Sequence, residues 1–238
     1  MRYVRDRTGR FENRPHFDPS ELDVECESII TSFLKGLHGQ VCFPVSTDDL
    51  TKLVERDAKS LDLYADLSAF GNDVEGVTEF ARGSKPSVRI SQRLSENDHL
   101  ENRLRTTLTH EYGHVRLHSH LWEVEPPNGE LLRRSPTYNK IVCKRETIVD
   151  AAQNDWMEWQ AGYVCGALLM PKSRLVARCG QFAEEHNLFG PPGLESTAGA
   201  LLISSVAAGY RVSEQAARVR LLKLGLLQQG ARSPSLFE

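Results

Sequence analysis

Residues 107–118 read TLTHEYGHVRLH, and the rest of the chain is best interpreted outward from this stretch. His110 and His114 are four residues apart, and Glu111 directly follows the first of them. On an α-helix, residues i and i+4 lie on one face, one above the other. Two imidazoles placed in this way can hold one Zn²⁺ ion, and the glutamate beside them can act as a general base. This HExxH pattern therefore predicts a metal site on a helix over about 97–118.

A catalytic zinc site takes three protein ligands and keeps a fourth position open, so a third ligand is needed. His118 lies about 12 Å beyond His110 along a straight helix, at about 1.5 Å per residue, and one ion cannot bind both. His118 is therefore expected to pack beside the site or to contact a ligand. His120 has the HExxHxxGxxH spacing, but Leu117 stands where such sites have the glycine that turns the chain back.

The segment DWMEWQAGYVCGALLMP (155–171) offers a better third ligand in Glu158. Its pattern predicts a helix over about 155–169, with Glu158 at the start of the apolar face. A carboxylate on a buried face is costly unless it is paired or bound to a cation. Helix capping is the alternative, with Asp155 as the N-cap and Glu158 at the third helical position. The two roles are compatible, and a metal gives the stronger reason.

Composition and charge narrow the classes of protein that fit. The chain has 238 residues and a net charge of −3, which suits one globular domain with at most a small appendage. Five cysteines without a CxxC pair argue against a disulfide framework and favour a reducing cytoplasm. The start, MRYVRDRTGRFENRP, has no apolar signal segment, and no apolar stretch is long enough to span a bilayer. No membrane partner is expected.

Hydrophobic patterns on both sides of the motif predict an α+β fold. We expect a small mixed β-sheet packed on the HExxH helix and a helical C-terminal half that ends in a helix-turn-helix-like pair. The predicted strands cover 61–67, 74–81 and 87–92. One predicted helix starts at Ser20, and the others span about 48–58, 97–118, 155–169, 198–209 and 213–224.

Two motifs together carry a resemblance to a known family. HEYGHVRLH (110–118) followed by EWQAGYVCGALLMP (158–171) resembles the ImmA/IrrE metallo-endopeptidases, zinc-dependent HExxH proteins of bacteria and their mobile elements. Glu158, Ala161 and the ending LLMP match the family pattern E-x-x-A-N-x-F-A-x-x-L-L-M-P. Gly162 departs from its asparagine, and Val164-Cys165 departs from its Phe-Ala. The likeness covers about 45–225, including an approximate match to the family's terminal V-S-x-x-A-x-x-R-L-x-x-L-G pattern.

The resemblance implies that His110, His114 and Glu158 hold one Zn²⁺ ion and that Glu111 is the general base in peptide-bond hydrolysis. It also implies a protein substrate, a helix-turn-helix transcriptional repressor of stress or mobile-element genes. Two alternatives stay open: a non-catalytic protein that binds DNA or a repressor, and the toxin of a toxin–antitoxin pair. The intact Glu111 argues against a purely structural zinc site, which has no use for a base.

The predicted organisation follows from these motifs. It consists of a flexible basic arm over 1–18, a zinc metallopeptidase domain over 19–195, a helix-turn-helix-like subdomain over 196–226 packed on the core, and a tail over 227–238. DNA binding by the helix pair is considered because the pair is mildly basic, and packing on the core is favoured because of its regular apolar positions. The basic residues of the pair are Arg211, Arg218, Arg220 and Lys223.

Three further hypotheses concern the surroundings of the site. Tyr112 or Tyr163 can donate a hydrogen bond to a developing oxyanion, although packing is the more common role of such a residue. Cys143 can bind zinc as a thiolate and block the site, with a buried apolar role as the alternative. An extended substrate is expected to pair with a sheet edge, either VEGVTEFA (74–81) or SVRISQ (87–92). Proline at Val88 or Ile90 should then cripple turnover and leave the zinc content intact.

Overall fold

The computed structural model describes residues 1–123, 140–144 and 155–229, and these residues form an α+β fold. The strands are β1 (Arg2–Arg5), β2 (Asn13–His16), β3 (Ser60–Ala65), β4 (Val74–Ala81), β5 (Ser84–Ser91) and β6 (Lys140–Lys144). The helices are α1 (Pro19–His38), α2 (Thr47–Asp57), α3 (Gln92–Ser95), α4 (Glu101–His118), α5 (Trp156–Leu169), α6 (Lys172–Glu185), α7 (Thr197–Tyr210) and α8 (Glu214–Lys223). Short 3₁₀ turns lie at Ser68–Phe70, Asp98–Leu100 and Ser119–Trp122.

The main sheet is mixed and has the strand order β3-β5-β4-β6. Strand β3 pairs with β5 in parallel, while β4 pairs with both β5 and β6 in antiparallel fashion. The three predicted strands are therefore present, and β6 adds a fourth. Neither β4 nor β5 is an edge, so the hypothesis that one of them is a free edge for substrate is wrong. Val88 and Ile90 are fully buried in an interior strand, and proline there would break the core instead of testing substrate binding.

Helix α4 is the centre of the packing. It contacts β4, β5 and α2, and its most extensive contact is with α5. Leu108 and Tyr112 are fully buried in one apolar cluster with residues of α1, α2, β5 and α5. Since residues on every side of α4 are buried, its histidines are shielded from water by the fold itself.

The C-terminal helices α7 and α8 pack on this same core. Val206 and Leu221 are fully buried in the cluster that also contains residues of α4 and α5. Arg220 is buried too and donates to Asp23 Oδ1 of α1 at 2.6 Å, while Arg211 pairs with Glu101 of α4. Two basic side chains of the pair therefore hold it to the core, which supports the packing interpretation over a basic DNA-binding face.

Residues 1–18 differ from the expected flexible arm, because they contain the hairpin β1–β2. The Asp6 carboxylate organises the turn by accepting hydrogen bonds from Thr8 Oγ1 at 2.8 Å and from the Phe11 N–H at 3.0 Å. Phe11 is buried edge-to-face against Trp122, with 5.1 Å between ring centroids. The buried Phe11 side chain and the Asp6 carboxylate thus help to hold this largely polar segment in place.

Smaller differences concern helix ends. The capping box of α1 is formed by Asp18 and Glu21 in place of the predicted start at Ser20, and α6 is an additional helix that the sequence patterns do not predict.

The Cys143 side chain and residues 230–238 of the predicted tail lie outside the described part of the chain, so the hypothesis that a Cys143 thiolate blocks the site remains a prediction. Among the described helices, none is both long and apolar enough to cross a membrane.

Candidate metal centre

Two helices carry the candidate centre, and a glycine lets them approach closely. Gly113 of α4 lies against Ala161 of α5, so that a Cβ atom added to Gly113 would be 2.8 Å from the Ala161 Cα. Contact at this distance is available only to a residue without a side chain. Gly113 lies between His110 and His114, and Ala161 is one turn beyond Glu158. The small residues therefore set the helix spacing at the level of the three predicted ligands.

The predicted ligands come together in the structure. His110, His114 and Glu158 are buried, and each offers one ligand atom within 4.8 Å of the others. Nε2 of His110 lies 3.1 Å from Nε2 of His114 and 3.1 Å from Oε2 of Glu158. Nε2 of His114 lies 3.3 Å from Oε1 of Glu158.

This donor set fits a zinc ion. A tetrahedral zinc ion with bonds of about 2.0–2.1 Å separates its ligand atoms by about 3.3 Å, close to the spacing found here. Two imidazoles and one carboxylate are also the donors of zinc hydrolases that keep one position open.

Electrostatics favour the ligand form of the carboxylate. Burial raises the pKa of Glu158, but His114 and His110 outweigh this effect and hold the pKa well below its usual range. The Glu158 N–H also donates to Asp155 Oδ1 at 3.4 Å, so Asp155 is the N-cap of α5. Glu158 is therefore at the capping position of α5, and its carboxylate lies close enough to His110 and His114 to serve as a metal ligand as well.

Glu111 lies on the sheet side of α4, where β4 crosses the helix. Thr78 Oγ1 donates to Glu111 Oε2 at 2.5 Å, which fixes the carboxylate. Gly76, two residues earlier on the same face of β4, leaves the space that the Glu111 side chain fills. A strand with a larger residue at position 76 would collide with this side chain.

The other histidines take different positions. Nδ1 of His118 lies 3.0 Å from Nδ1 of His114, so His118 contacts a predicted ligand, as its position on the helix indicated. Burial holds the pKa of His118 well below its usual value. His120 Nε2 instead contacts the Tyr3 hydroxyl at 3.1 Å, and His120 is not part of the three-residue group.

Neither tyrosine hydroxyl is brought to the three-residue group. The Tyr112 hydroxyl donates to Asp57 Oδ2 at 2.7 Å, on helix α2. The Tyr163 hydroxyl donates to Asp23 Oδ2 at 3.0 Å, on helix α1. Both phenols tie helices together, which is the packing role considered for them.

Several contacts of the centre were not found from the sequence. Gln160 forms hydrogen bonds with His118 of α4 and with the Pro15 carbonyl of β2. Thr78 and Gly76 determine the position of the Glu111 side chain. The alternation in VEGVTEFA does place Gly76, Thr78 and Phe80 on one face of the strand, and two small residues there are a signal of close helix approach. No local pattern marks Gln160.

The fold and the buried His-His-Glu group together define a metallopeptidase-type domain. The family model described as Peptidase_M78, IrrE N-terminal-like domain, matches residues 64–222, which is more than half of the chain. The chain belongs to this family. No curated protein matches the chain.

Proposed function

We propose that this protein is a zinc-dependent endopeptidase that hydrolyses a peptide bond in a protein substrate. The observation that carries the proposal is the convergence of His110, His114 and Glu158 to ligand spacing, with Glu111 held beside them on the same helix. Family membership supports the same reaction class. Bound by these three residues, a zinc ion would polarise a peptide carbonyl and acidify a water molecule toward a pKa of about 7.

The role of Glu111 in this reaction is proton transfer. Its carboxylate takes a proton from the attacking water and then delivers it to the leaving amine. Thr78 holds the carboxylate through its hydroxyl, so the base is oriented before the substrate arrives. The surrounding burial excludes bulk water, which strengthens every charge interaction at the site.

As substrate we propose a helix-turn-helix transcriptional repressor, on the ground of the family resemblance. Cleavage of such a repressor would switch the stress or mobile-element genes that it controls. The sheet adds one condition for substrate binding. Because β6 pairs with the side of β4 away from β5, an extended segment that paired with β4 would have to take the place of β6.

Glu111→Gln tests the proposed function most directly. The amide keeps the size of the side chain but cannot act as a base, so cleavage should fall about 10²–10⁴-fold while zinc is retained. The measurement is mass spectrometry of repressor fragments released by zinc-loaded protein. Equal fragment yields from wild type and Glu111→Gln would overturn the proposal, because cleavage would then come from a contaminant or from another site.

Gly76→Ala probes the position of the base without changing its chemistry. A Cβ at residue 76 would lie 2.7 Å from Cδ and 2.9 Å from Cγ of Glu111, so the carboxylate must move. A displacement of about 1 Å can cost roughly 10²-fold in rate, and we expect a loss of this order with normal zinc content. Fragment yield and zinc content are measured together. Gly180→Ala is the matched control, because a Cβ there meets nothing within 4 Å.

A further inference from the structure

A chain of hydrogen bonds leads from the predicted ligand His114 to the N-terminal hairpin. Nδ1 of His114 contacts Nδ1 of His118 at 3.0 Å, and Nε2 of His118 contacts Oε1 of Gln160 at 3.0 Å. The Gln160 amide nitrogen then donates to the carbonyl oxygen of Pro15 in β2 at 2.8 Å. Pro15 lies outside the residues matched by the family model. These hydrogen bonds therefore connect the metal centre to a part of the protein that the family likeness does not cover.

The Pro15 carbonyl, which is the last group in this row of hydrogen bonds, determines which atom donates and which accepts in each of them. A backbone carbonyl can only accept, so the Gln160 NH₂ group must face Pro15 and the amide oxygen must face His118. That oxygen requires a proton on Nε2 of His118, and the neutral ring then presents Nδ1 as an acceptor. His114 must donate to it through Nδ1–H. With Nδ1 protonated, Nε2 is the nitrogen of His114 that faces His110 and Glu158, and it can supply its lone pair to a bound metal ion.

The reverse direction is incompatible with a ligand. If Gln160 were flipped, its oxygen would face the Pro15 oxygen at hydrogen-bond distance, and its NH₂ would oppose the proton on His118 Nε2. His118 would then shift its proton to Nδ1, and His114 would carry its proton on Nε2. A protonated Nε2 has no lone pair for a metal ion. The carbonyl of one hairpin residue thus selects between a binding and a non-binding tautomer.

The burial of His118 and Gln160 leaves one tautomer of His118 favoured over the other. His118 is fully buried and Gln160 is 1% exposed, so water does not replace a lost partner. Trp156 packs edge-on against the His118 ring at 5.5 Å between centroids, which holds the ring orientation. Phe11 holds the hairpin in place against Trp122 and Trp156. Leaving a buried polar group unpaired is unfavourable, so this hydrogen-bond network has one favourable arrangement.

We propose that His118 and Gln160 are positioning residues that transmit the acceptor character of the Pro15 carbonyl to His114, so that the N-terminal hairpin fixes the metal-binding tautomer. The inference rests on the proposed metal centre and is independent of the peptidase reaction. Partners of metal-bound histidines typically change metal affinity by about 10–100-fold.

The first test reads the tautomers directly in the wild-type protein. Long-range ¹H–¹⁵N correlation spectra of the zinc-free, ¹⁵N-histidine-labelled chain show which ring nitrogen carries the proton. We expect His118 to carry its proton on Nε2 alone. Nδ1 of His114 should be protonated, with or without a second proton on Nε2 beside the Glu158 carboxylate. A wild-type spectrum with His118 protonated on Nδ1 alone would overturn the proposal, and no variant has to fold for this result to count.

The second test changes Gln160 in two ways and measures zinc affinity by competition with a chelating dye. Gln160→Leu removes both contacts and should weaken zinc binding about 10–100-fold, with loss of the single His118 tautomer. Gln160→Glu would be buried, and burial favours the neutral carboxylic acid. Its O–H can donate to the Pro15 carbonyl while its C=O accepts from His118, so this variant should retain the tautomer and tight zinc binding. The exposed Gln181, replaced by leucine, is the control and should bind zinc as wild type does.

Two outcomes of the affinity measurement would contradict the proposal. One is wild-type zinc affinity in Gln160→Leu, and the other is equally weak binding in Gln160→Glu and Gln160→Leu. None of these readouts involves peptide cleavage, so an inactive protein that shows the expected tautomers and affinities removes the proposed function and leaves this inference standing. A wild-type chain that binds no zinc removes the metal centre itself.

Discussion

Glu158→Ala is expected to leave the protein without bound zinc, while Glu111→Gln retains one ion per chain. Alanine at position 158 removes one of three converging donors and leaves two imidazole nitrogens 3.1 Å apart. The loss of affinity should exceed the roughly 10–100-fold effect of removing a partner outside the ligand set. His114→Ala should behave in the same way as Glu158→Ala.

The measurement is zinc stoichiometry by elemental analysis of purified protein, combined with circular dichroism to show that each variant is folded. Glu184→Ala is a matched control, because it removes an exposed glutamate from another helix. If folded Glu158→Ala still holds one zinc ion, Glu158 is not a ligand, and His110 and His114 must be joined by a different residue.

Asp23→Leu is expected to destabilise the protein by about 3–5 kcal/mol, the cost of leaving a buried charge without its partner. Arg220 and Asp23 are each almost completely buried, and their contact is 2.6 Å long. Arg220 also donates to the Met170 carbonyl at 3.2 Å, at the end of the helix that carries Glu158. Loss of Asp23 therefore affects the attachment of α1, α5 and α8 at once.

Denaturant unfolding of the zinc-free protein measures this effect without a contribution from bound metal. The double variant Asp23→Leu/Arg220→Met should lose less stability than the two single variants together, because neither charge is then left alone. The exposed pair Lys52–Asp48 is the control, and Lys52→Ala should cost no more than about 1 kcal/mol. A loss below 1 kcal/mol for Asp23→Leu would show that the Arg220 charge finds another partner or water.

The parts of the structure that the sequence predicted are those governed by local patterns. Helix α4 and the grouping of His110 with His114 follow from helix periodicity alone, and Glu158 follows from its place on the next buried helix. Strand β6 could not be found in this way, because a five-residue segment that begins and ends with lysine becomes a strand only by pairing with β4. Helix α6 follows α5 without a linker, since Met170 is the C-cap of α5 and Pro171 is the N-cap of α6. No loop pattern therefore marks its start.

The contacts around the ligands were beyond sequence reasoning for a related reason. Gln160 and Pro15 are far apart in the chain, and nothing in either local pattern indicates that they meet. The same holds for Thr78 and Glu111, whose contact depends on where β4 crosses α4. The spacing of His110 and His114 is a local property of one helix, whereas the approach of Glu158 and the orientation of all three side chains depend on tertiary packing.

The long helix α1 determines how far the protein can be shortened from its N-terminal side and still fold. The match to the family model starts at residue 64, yet Leu22 and Ile30 of α1 are fully buried in the cluster that surrounds α4 and α5. A fragment cut to 64–222 would expose that apolar surface to water and should aggregate or fail to fold. The part of the protein that folds as a unit is therefore larger than the region that the family model matches, so expression trials should begin upstream of α1.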